Sequence, residues 1–185
     1  MPIAPTPVDS KSIEMIAADQ FTIQGLADIY NQTRVDYLIP MAMSADRLGE
    51  YIHDFDVDLG CSSVARSPEG ELLGLIFLGV RRNLAWITRL GVLPAARRAG
   101  AGSALLERML ASAAAMGLEE IHLEVIKNNT PAHTLFLGKG FQETGEYLVM
   151  RRAPRAVSET AQCCAKWLDA EQALQKAHDE LEVRV

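Results

Sequence analysis

The residues with the clearest chemical meaning lie in one short stretch that holds two adjacent arginines followed by two glycines. The stretch reads Val92, Leu93, Pro94, Ala95, Ala96, Arg97, Arg98, Ala99, Gly100, Ala101, Gly102 and Ser103. A β-type run ends at Val92, and a helical pattern opens at about Gly102. Glycine in such a loop lets a ligand approach successive backbone N–H groups, while the helix N-terminus adds partial positive charge. This arrangement is suited to binding a diphosphate.

Other phosphate-binding loops require residues at particular spacings, which can be compared with this stretch. A dinucleotide-binding loop needs a third glycine, but Leu105 stands three residues after Gly102, and the preceding strands read as a meander rather than a βαβ unit. A GxxxxGK[ST] phosphate loop is absent, because Ser-Ala-Leu follows Gly102. In the last interpretation the glycines only shape a tight strand-to-helix turn and the arginines form a solvated face. For an isolated loop of this kind, that simple turn would be favoured.

Charge is distributed unevenly along the chain. The 185 residues include 18 basic and 24 acidic side chains, which gives a formal net charge of −6. Residues 1–71 hold 4 basic and 12 acidic side chains, whereas residues 72–106 hold 5 arginines and no acid. The net charge argues against a nucleic acid partner, and its distribution favours a small polyanion.

Composition bears on the cellular compartment of the protein and on whether it uses disulfides, metals or a membrane. The three cysteines, Cys61, Cys163 and Cys164, cannot form an even disulfide framework, and neither CxxC nor HxxxH spacing occurs. No stretch approaches the roughly 18 apolar residues of a membrane span, and the first residues do not resemble a leader. We therefore predict a cytoplasmic, reduced protein that uses no metal and no membrane.

The elements that must position the loop follow from periodicity. The first half predicts a strand at 13–17, a helix capped by Asp19, a loop over 31–43 and a second helix after Ser44. The β-type runs 61–66, 72–80 and 86–92 predict an antiparallel meander. A helix from Gly102 to Gly117, a strand over 121–126, a helix ending by Gly138 or Gly140 and a strand pair over 141–144 and 146–151 complete the pattern.

This order predicts an α+β fold with three layers, α/β/α, around a mixed, mostly antiparallel central sheet. Residues 1–11 are predicted to be a flexible lead-in, 12–152 the folded domain, and 153–185 an amphipathic helical extension. The narrow apolar seam of that extension needs a partner. It would be the core, a second subunit of a homodimer, or a further domain.

Two sets of residues resemble the GNAT superfamily of N-acetyltransferases. The loop matches the family's acetyl-CoA pyrophosphate motif, Arg or Gln followed by xxGxG or xxGxA, at Val92, Pro94, Arg97, Arg98, Gly100 and Gly102. The second set matches the family's later strand and helix at Leu123, Glu124, Val125, Asn129, Ala132, Leu135, Phe136, Gly140 and Phe141. The resemblance covers about 12–152 and implies a sheet whose fourth and fifth strands splay apart.

The resemblance also implies how acetyl-CoA would bind. The pantetheine arm would pair with backbone near a bulge at Leu90, Gly91 and Val92, with the Val92 N–H polarising the thioester carbonyl. The N–H groups from Arg97 to Gly102, continuing to Ser103, would hold the pyrophosphate. Asn129 and Phe136 match further family positions at the cofactor.

The implied reaction is direct attack of an amine on the thioester, with Glu124 at the position of the general base of some members. The alternative for Glu124 is a structural hydrogen bond or salt bridge. The usual tyrosine acid is replaced by Phe136, so Tyr147 is the candidate for that role, with Tyr37 and His133 as alternatives. Loss of the acid would slow the reaction rather than abolish it, because releasing a thiolate at pH 7 costs about 2 kcal/mol.

The acceptor, a small-molecule or peptide amine, is expected at the loop between the first two helices. The candidate contacts are Arg34, Asp36, Tyr37 and Met41. Nearby acids at 50, 54, 56 and 58 would either attract a cationic amine or form an ordinary solvated face. Two other functions stay open: transfer from another acyl-CoA, and a CoA-binding sensor or interaction module without turnover.

Overall fold

The structure, a computed structural model, describes residues 13–39 and 41–149. The chain divides into two compact units, Met1–Glu143 and Thr144–Val185, and every helix and strand of the described residues lies in the first. The strands are β1 Glu14–Ala17, β2 Val57–Arg66, β3 Leu72–Arg81, β4 Leu84–Val92 and β5 Glu120–Leu123. The α-helices are α1 Ile23–Gln32, α2 Ala45–Asp54, α3 Ala101–Ala115 and α4 Thr130–Gly138.

The strands form one mixed sheet in the order β1-β2-β3-β4-β5. The first three pairings are antiparallel, and β4 pairs with β5 in parallel. That last pairing runs only from Leu84 opposite Glu120 to Ile87 opposite Leu123, while β4 continues to Val92. The predicted splay of the fourth and fifth strands is therefore confirmed. We call the space beside residues 88–92, where β5 no longer pairs, the β4–β5 gap.

The helices cover both faces of the sheet. Leu75 and Phe77 of β3 are buried in one cluster with α1 and α2, while Ile76 and Leu78 are buried in another with α3 and α4. Successive side chains of a strand point to opposite faces, so a continuous apolar run is the pattern of a strand covered on both sides. The predicted three-layer α+β fold is confirmed.

The starts of the first two helices are fixed by side-chain caps. Thr22 precedes α1 and its hydroxyl accepts a hydrogen bond from the Gly25 N–H at 3.1 Å. Ser44 precedes α2, as predicted, and its hydroxyl accepts from the Arg47 N–H. The prediction that Asp19 caps the first helix is wrong. Asp19 lies in a short 3-10 turn, and a cap must stand directly before the first helical turn, where Thr22 stands.

Strand bounds differ from those predicted by more than one residue in β2, β4 and β5. β2 begins at Val57 rather than 61. Its pairing with β3 is irregular near this start, since the register shifts between Asp58, opposite Leu78, and Ser63, opposite Ile76. Small and polar residues in this irregular segment hide the strand pattern, and the Ser62 hydroxyl joins it to the sheet by accepting from the Leu78 N–H at 3.0 Å. β4 begins at 84 rather than 86. β5 ends at 123 rather than 126.

The predicted strand pair over 141–144 and 146–151 does not form in the described residues, since 141–149 hold no strand. Local β preference is a weak guide, because a strand forms only where a partner takes its backbone hydrogen bonds. Residues 1–12 and 150–185 lie outside the described residues. The predictions of a flexible lead-in, a helical extension and a homodimer through it therefore stay predictions.

Candidate functional site

The chain turns sharply between β4 and α3. A single 3-10 turn, Pro94–Ala96, is followed by Arg98 and Gly100 with positive φ of 63° and 87°. Gly100 occupies the cap position before α3 in a left-handed conformation that glycine adopts without steric cost. Its place in the motif is therefore explained by the turn itself.

The backbone N–H groups of this turn are largely unused. The Ala99 N–H reaches the Ala96 carbonyl at 3.4 Å, and the first hydrogen bond of α3 joins the Ala104 N–H to the Gly100 carbonyl at 3.0 Å. Among the described residues, no carbonyl accepts from the N–H groups of Arg98 or of residues 100–103. These five donors, which we call the amide cluster, lie at the positive end of the α3 dipole.

Arg97 does not leave its guanidinium free for a ligand. Its two terminal nitrogens donate to the two carboxylate oxygens of Asp36 at 2.6 and 2.7 Å, and it also donates to the carbonyls of Thr33 and Val92. The hydrogen bond to Arg97 lowers the pKa of the Asp36 carboxyl, and the same bond raises the pKa of Arg97. A residue predicted for the cofactor and one predicted for the acceptor thus form one ion pair.

Arg98 differs from its neighbour. Its side chain is exposed and has no carboxylate partner among the described residues. Since Arg97 is held by Asp36, Arg98 is the arginine of this loop that, within the described residues, stays available to an anion.

The edge of β4 that faces the gap is defined by two side-chain hydrogen bonds. Arg34 donates to the Leu90 carbonyl at 3.3 Å, and Arg97 donates to the Val92 carbonyl at 3.2 Å. Neither carbonyl therefore faces β3, and the N–H of a strand residue lies on the same side as its carbonyl. The N–H groups of Leu90 and Val92 consequently face the β4–β5 gap.

Gly91 lies between these two residues and packs against α1. A Cβ at Gly91 would lie 2.3 Å from the Thr33 hydroxyl oxygen and 2.8 Å from the Thr33 Cβ. Thr33 is itself buried, and its hydroxyl donates to the Tyr30 carbonyl at 2.7 Å. The bulge of β4 lies upstream at Thr88, where Phe77 faces Arg89 and Leu78 faces Ile87.

Asn129 and Tyr37 come together across the sequence. Asn129 caps α4 by accepting from the Ala132 N–H, and its amide nitrogen donates to the Tyr37 hydroxyl at 3.4 Å. The Tyr37 ring lies 4.1 Å from the Arg34 guanidinium, which also contacts Leu90. The loop after α1 therefore reaches both the gap-facing edge of β4 and the start of α4.

The remaining predicted site residues have varied surroundings. Glu124 is exposed, follows β5 directly, and its carboxylate has no bonded partner among the described residues. Phe136 is buried, with its ring 5.7 Å from that of Phe141, so it packs in the core. His133 is bonded to Glu143. Tyr147 is exposed and belongs to the second unit.

An open cleft of about 430 Å³ lies beside α2. Its lining residues are Met41, Ala42, Met43, Arg47, Glu50, Tyr51, Asp54, Phe55 and Arg89. Of these, sequence reasoning named only Met41 as a contact for the acceptor. Tyr51 and Phe55, whose rings stack at 4.4 Å, stand four residues apart at the end of α2, and that spacing is the signal that the sequence offers for them.

Polar groups without protein partners gather beneath this cleft. In the part of the chain that the structure describes, three buried side-chain atoms have no hydrogen-bond partner: Tyr30 Oη, Arg34 Nε and Arg89 Nε. All three residues interact electrostatically with Tyr51, whose hydroxyl donates to the Thr88 carbonyl. Burial raises the pKa of Tyr51. We call Tyr30, Arg34, Tyr51 and Arg89 the arginine–tyrosine cluster.

Comparison with known families agrees with this geometry. The model of the acetyltransferase (GNAT) family matches residues 26–141, more than half of the chain, from α1 through the amide cluster to Phe141. The chain belongs to the GNAT family. The splayed strands, the loop before α3 and the Asn-capped α4 are thus this GNAT domain's versions of the elements predicted from its motifs.

Particular known proteins are similar to this chain in part of the sequence or in the fold. Mycothiol acetyltransferase of Clavibacter michiganensis subsp. michiganensis is 38% identical over 90 residues, which are 49% of this chain and 29% of that protein. The ribosomal-protein-S18-alanine N-acetyltransferase from Escherichia coli superposes with a TM-score of 0.58 at 18% identity, covering 72% of this chain and 79% of that one. AAC(6')-Iy, solved with the bisubstrate analogue CoA-S-monomethyl-acetylneamine, superposes with a TM-score of 0.56 at 15% identity, covering 77% and 97%.

Among the described residues, no helix is long and apolar enough to cross a membrane. No group of three or more His, Cys, Asp or Glu side chains in the same ranges is placed to hold a metal ion.

Proposed function

We propose that this GNAT domain is an N-acetyltransferase that transfers the acetyl group of acetyl-CoA to an amine. The observation that carries the proposal is the amide cluster, with five backbone donors at the N-terminus of α3 and the uncommitted cation Arg98 beside them. Such a concentration of N–H groups and positive charge suits a pyrophosphate.

Gly102 supports a ligand-binding loop over a simple turn. It has no positive φ, and a Cβ there would make only ordinary contacts at 3.4 Å with Val92 and Leu135. Neither conformation nor packing therefore requires glycine at this position. Close approach of a ligand to the backbone is the remaining reason for it.

The chain's own groups fit the rest of the molecule. The gap-facing N–H groups of Leu90 and Val92 would pair with the amide-containing arm, and Asn129 would contact it from the start of α4. When bound, acetyl-CoA supplies an acetyl group activated for attack by nitrogen. In this arrangement Arg97 acts indirectly, since it holds the Val92 carbonyl and the loop after α1.

The transfer forms the bond between the acceptor nitrogen and the acetyl carbon and breaks the bond between that carbon and sulfur. An alkylammonium acceptor, with a pKa near ~10.4, loses two protons in all, of which the departing sulfur takes one and solvent receives one. We propose Glu124 as the base that accepts the first proton, directly or through water, because its carboxylate, where β5 leaves β4, has no bonded partner in the described part of the chain.

Two tyrosines are proposed for the acid. Tyr147 is the candidate from sequence. Tyr37 is the candidate from geometry, since its hydroxyl contacts Asn129 and its ring lies beside Arg34. His133 is a weaker candidate because Glu143 is bonded to its ring.

Thermal unfolding with acetyl-CoA tests the cofactor. At about 100 times the dissociation constant, we expect stabilisation of about 2.7 kcal/mol, and no shift at millimolar acetyl-CoA would remove the proposal. Release of CoA thiol over a panel of amines then tests turnover. Binding without thiol release would favour the second candidate, a non-catalytic CoA-binding module, for which the buried Phe136 in place of a tyrosine is the supporting observation.

A further inference from the structure

The arginine–tyrosine cluster contains two positive charges and no negative one. Arg34 and Arg89 have no carboxylate partner among the described residues, and their protein hydrogen bonds go to the carbonyls of Leu90 and Thr88. Elsewhere the chain pairs such arginines readily, as Arg97 does with Asp36 and Arg66 with Glu14. Arginine stays charged at any ordinary pH, so burial of its N–H groups without an acceptor is costly.

The cluster also has a defined shape. The Arg89 guanidinium lies over the Tyr51 ring at 4.2 Å, and the Arg34 guanidinium lies 5.2 Å from the Tyr30 ring and 4.1 Å from the Tyr37 ring. Stacking of this kind holds a guanidinium plane in place and leaves its edge for a planar anion. The unpartnered Nε atoms and the Tyr30 hydroxyl are hydrogen-bonding groups that a carboxylate can satisfy.

The cluster connects the cleft to the β4–β5 gap. Arg89 and Tyr51 line the cleft, whereas Arg34 donates to Leu90 on the gap-facing edge of β4. Beyond the cations, the cleft offers the apolar side chains of Met41, Met43 and Phe55 and carries Glu50 and Asp54 from α2. A ligand with an anionic end, an apolar body and an amine matches these walls.

We propose that the acceptor amine carries a carboxylate, in the manner of an amino acid, and that Arg34 and Arg89 bind this carboxylate where the cleft meets the β4–β5 gap. The inference rests on the proposed function and names its acceptor class. It assigns Arg34 and three further residues, Tyr30, Tyr51 and Arg89, to acceptor binding. The cleft is then the acceptor site.

Matched amines test the inference. The probes are leucine, methionine and phenylalanine, each beside its own amide, so that the side chain and the α-amine stay constant while the carboxylate is removed. We expect kcat/KM for the acids to exceed that for the amides by about 10- to 100-fold, the range of a charge-assisted hydrogen bond. In thermal unfolding with acetyl-CoA present, the acids should stabilise the protein more than the amides. Equal rates and equal shifts for acid and amide would overturn the inference.

Variants test whether Arg89 causes the preference for acids over amides. Arg89→Gln should reduce the acid-to-amide ratio to near one, and Arg89→Lys should leave an intermediate ratio, because it keeps the charge without the planar fork. Arg108→Gln, on the exposed face of α3, should keep the wild-type ratio. A wild-type ratio retained in Arg89→Gln would overturn the assignment. If that variant does not fold, the wild-type comparison of acids and amides still decides.

Three further outcomes distinguish a carboxylate on the acceptor from one on the acyl donor, and distinguish failure of this inference from failure of the proposed function. Faster transfer from succinyl-CoA than from acetyl-CoA, combined with indifference to the acceptor's carboxylate, would place the anion on the acyl donor and overturn the inference. A clear acetyl-CoA shift without any acid preference would overturn the inference and leave the proposed function standing. Absence of the acetyl-CoA shift would instead remove the proposed function.

Discussion

Arg97 and Asp36 form a two-pronged ion pair that joins the loop before α3 to the loop after α1. Arg97 also donates to the Thr33 and Val92 carbonyls, so one guanidinium fixes the end of α1 against the end of β4. The residue that opens the pyrophosphate motif therefore positions the loop that is expected to meet the acceptor. Cofactor and acceptor binding should consequently depend on each other through this pair.

Asp36→Asn should weaken acetyl-CoA binding as well as stability, because it releases the guanidinium that positions Val92. Both partners are about half exposed, so the loss of stability should be small and should shrink further at high salt. Titration of acetyl-CoA with thermal unfolding as the readout measures both effects. Glu14→Gln is the control, since it removes an exposed ion pair with Arg66 that lies away from the loop. An equal change of affinity in both variants would contradict a positioning role.

The pH dependence of this ion pair has a defined sign. Hydrogen bonding to Arg97 lowers the pKa of Asp36 below its ordinary value of 3.8 in the folded state. The stabilisation is therefore fully present above about pH 4 and is lost as pH falls through the lowered folded pKa. The difference in melting temperature between wild type and Asp36→Asn should stay constant from pH 7 down to about 4 and narrow below it. A difference that widens toward acid pH would contradict this assignment.

Gly91→Ala should destabilise the fold by about 1–3 kcal/mol, the usual cost of adding a methyl group to a packed site. The added Cβ would lie 2.3 Å from the Thr33 hydroxyl oxygen, and Thr33 is held in place by its bond to Tyr30. Gly49→Ala is the control, because no atom of the described residues lies within 4 Å of a Cβ there and α2 should gain about 0.5–1 kcal/mol. Denaturant unfolding measures both. A stabilised Gly91→Ala would show that α1 does not pack on β4 as described.

Part of the fold and of the site could be predicted from the sequence. The β-type run over 72–80 predicts β3, and the order of elements predicts helices on the faces of the sheet, because burial sets such patterns. The cap at Thr22 and the early start of β2 were missed, since Asp19 offered an equally good cap and the irregular segment after Asp58 breaks the alternation. The pair between Arg97 and Asp36 spans 61 positions and follows from no local rule.

The arginine–tyrosine cluster was missed for a related reason. Tyr30 and Tyr51 lie among the buried residues of α1 and α2, where periodicity predicts core packing and gives the hydroxyls no role. Arg89 falls in the cationic segment 72–106, where nothing in the spacing distinguishes it from the other arginines. Only the packing of α2 beside β4 brings Tyr51 and Arg89 together.

Removing the hydroxyl of the proposed acid should lower kcat only by a limited factor. Because releasing a thiolate at pH 7 costs about 2 kcal/mol, Tyr37→Phe or Tyr147→Phe should lower kcat by no more than about 30-fold. Single-turnover rates for both variants, measured at pH 7, identify which hydroxyl acts. A much larger fall would assign that tyrosine a role beyond protonation of sulfur, and no change in either would show that the thiolate leaves without a tyrosine acid.

Glu124→Gln tests the proposed base. The amide keeps the size of the side chain but accepts a proton poorly, so kcat should fall by about 10²- to 10⁴-fold while the acetyl-CoA dissociation constant stays the same. Glu119→Gln is the matched control, an exposed carboxyl just before β5 that should leave both quantities unchanged. Because Glu124 has no bonded partner among the described residues, its substitution should not lower the melting temperature. Unchanged turnover in Glu124→Gln would remove Glu124 as the base, and a lowered melting temperature with intact turnover would assign it a structural role instead.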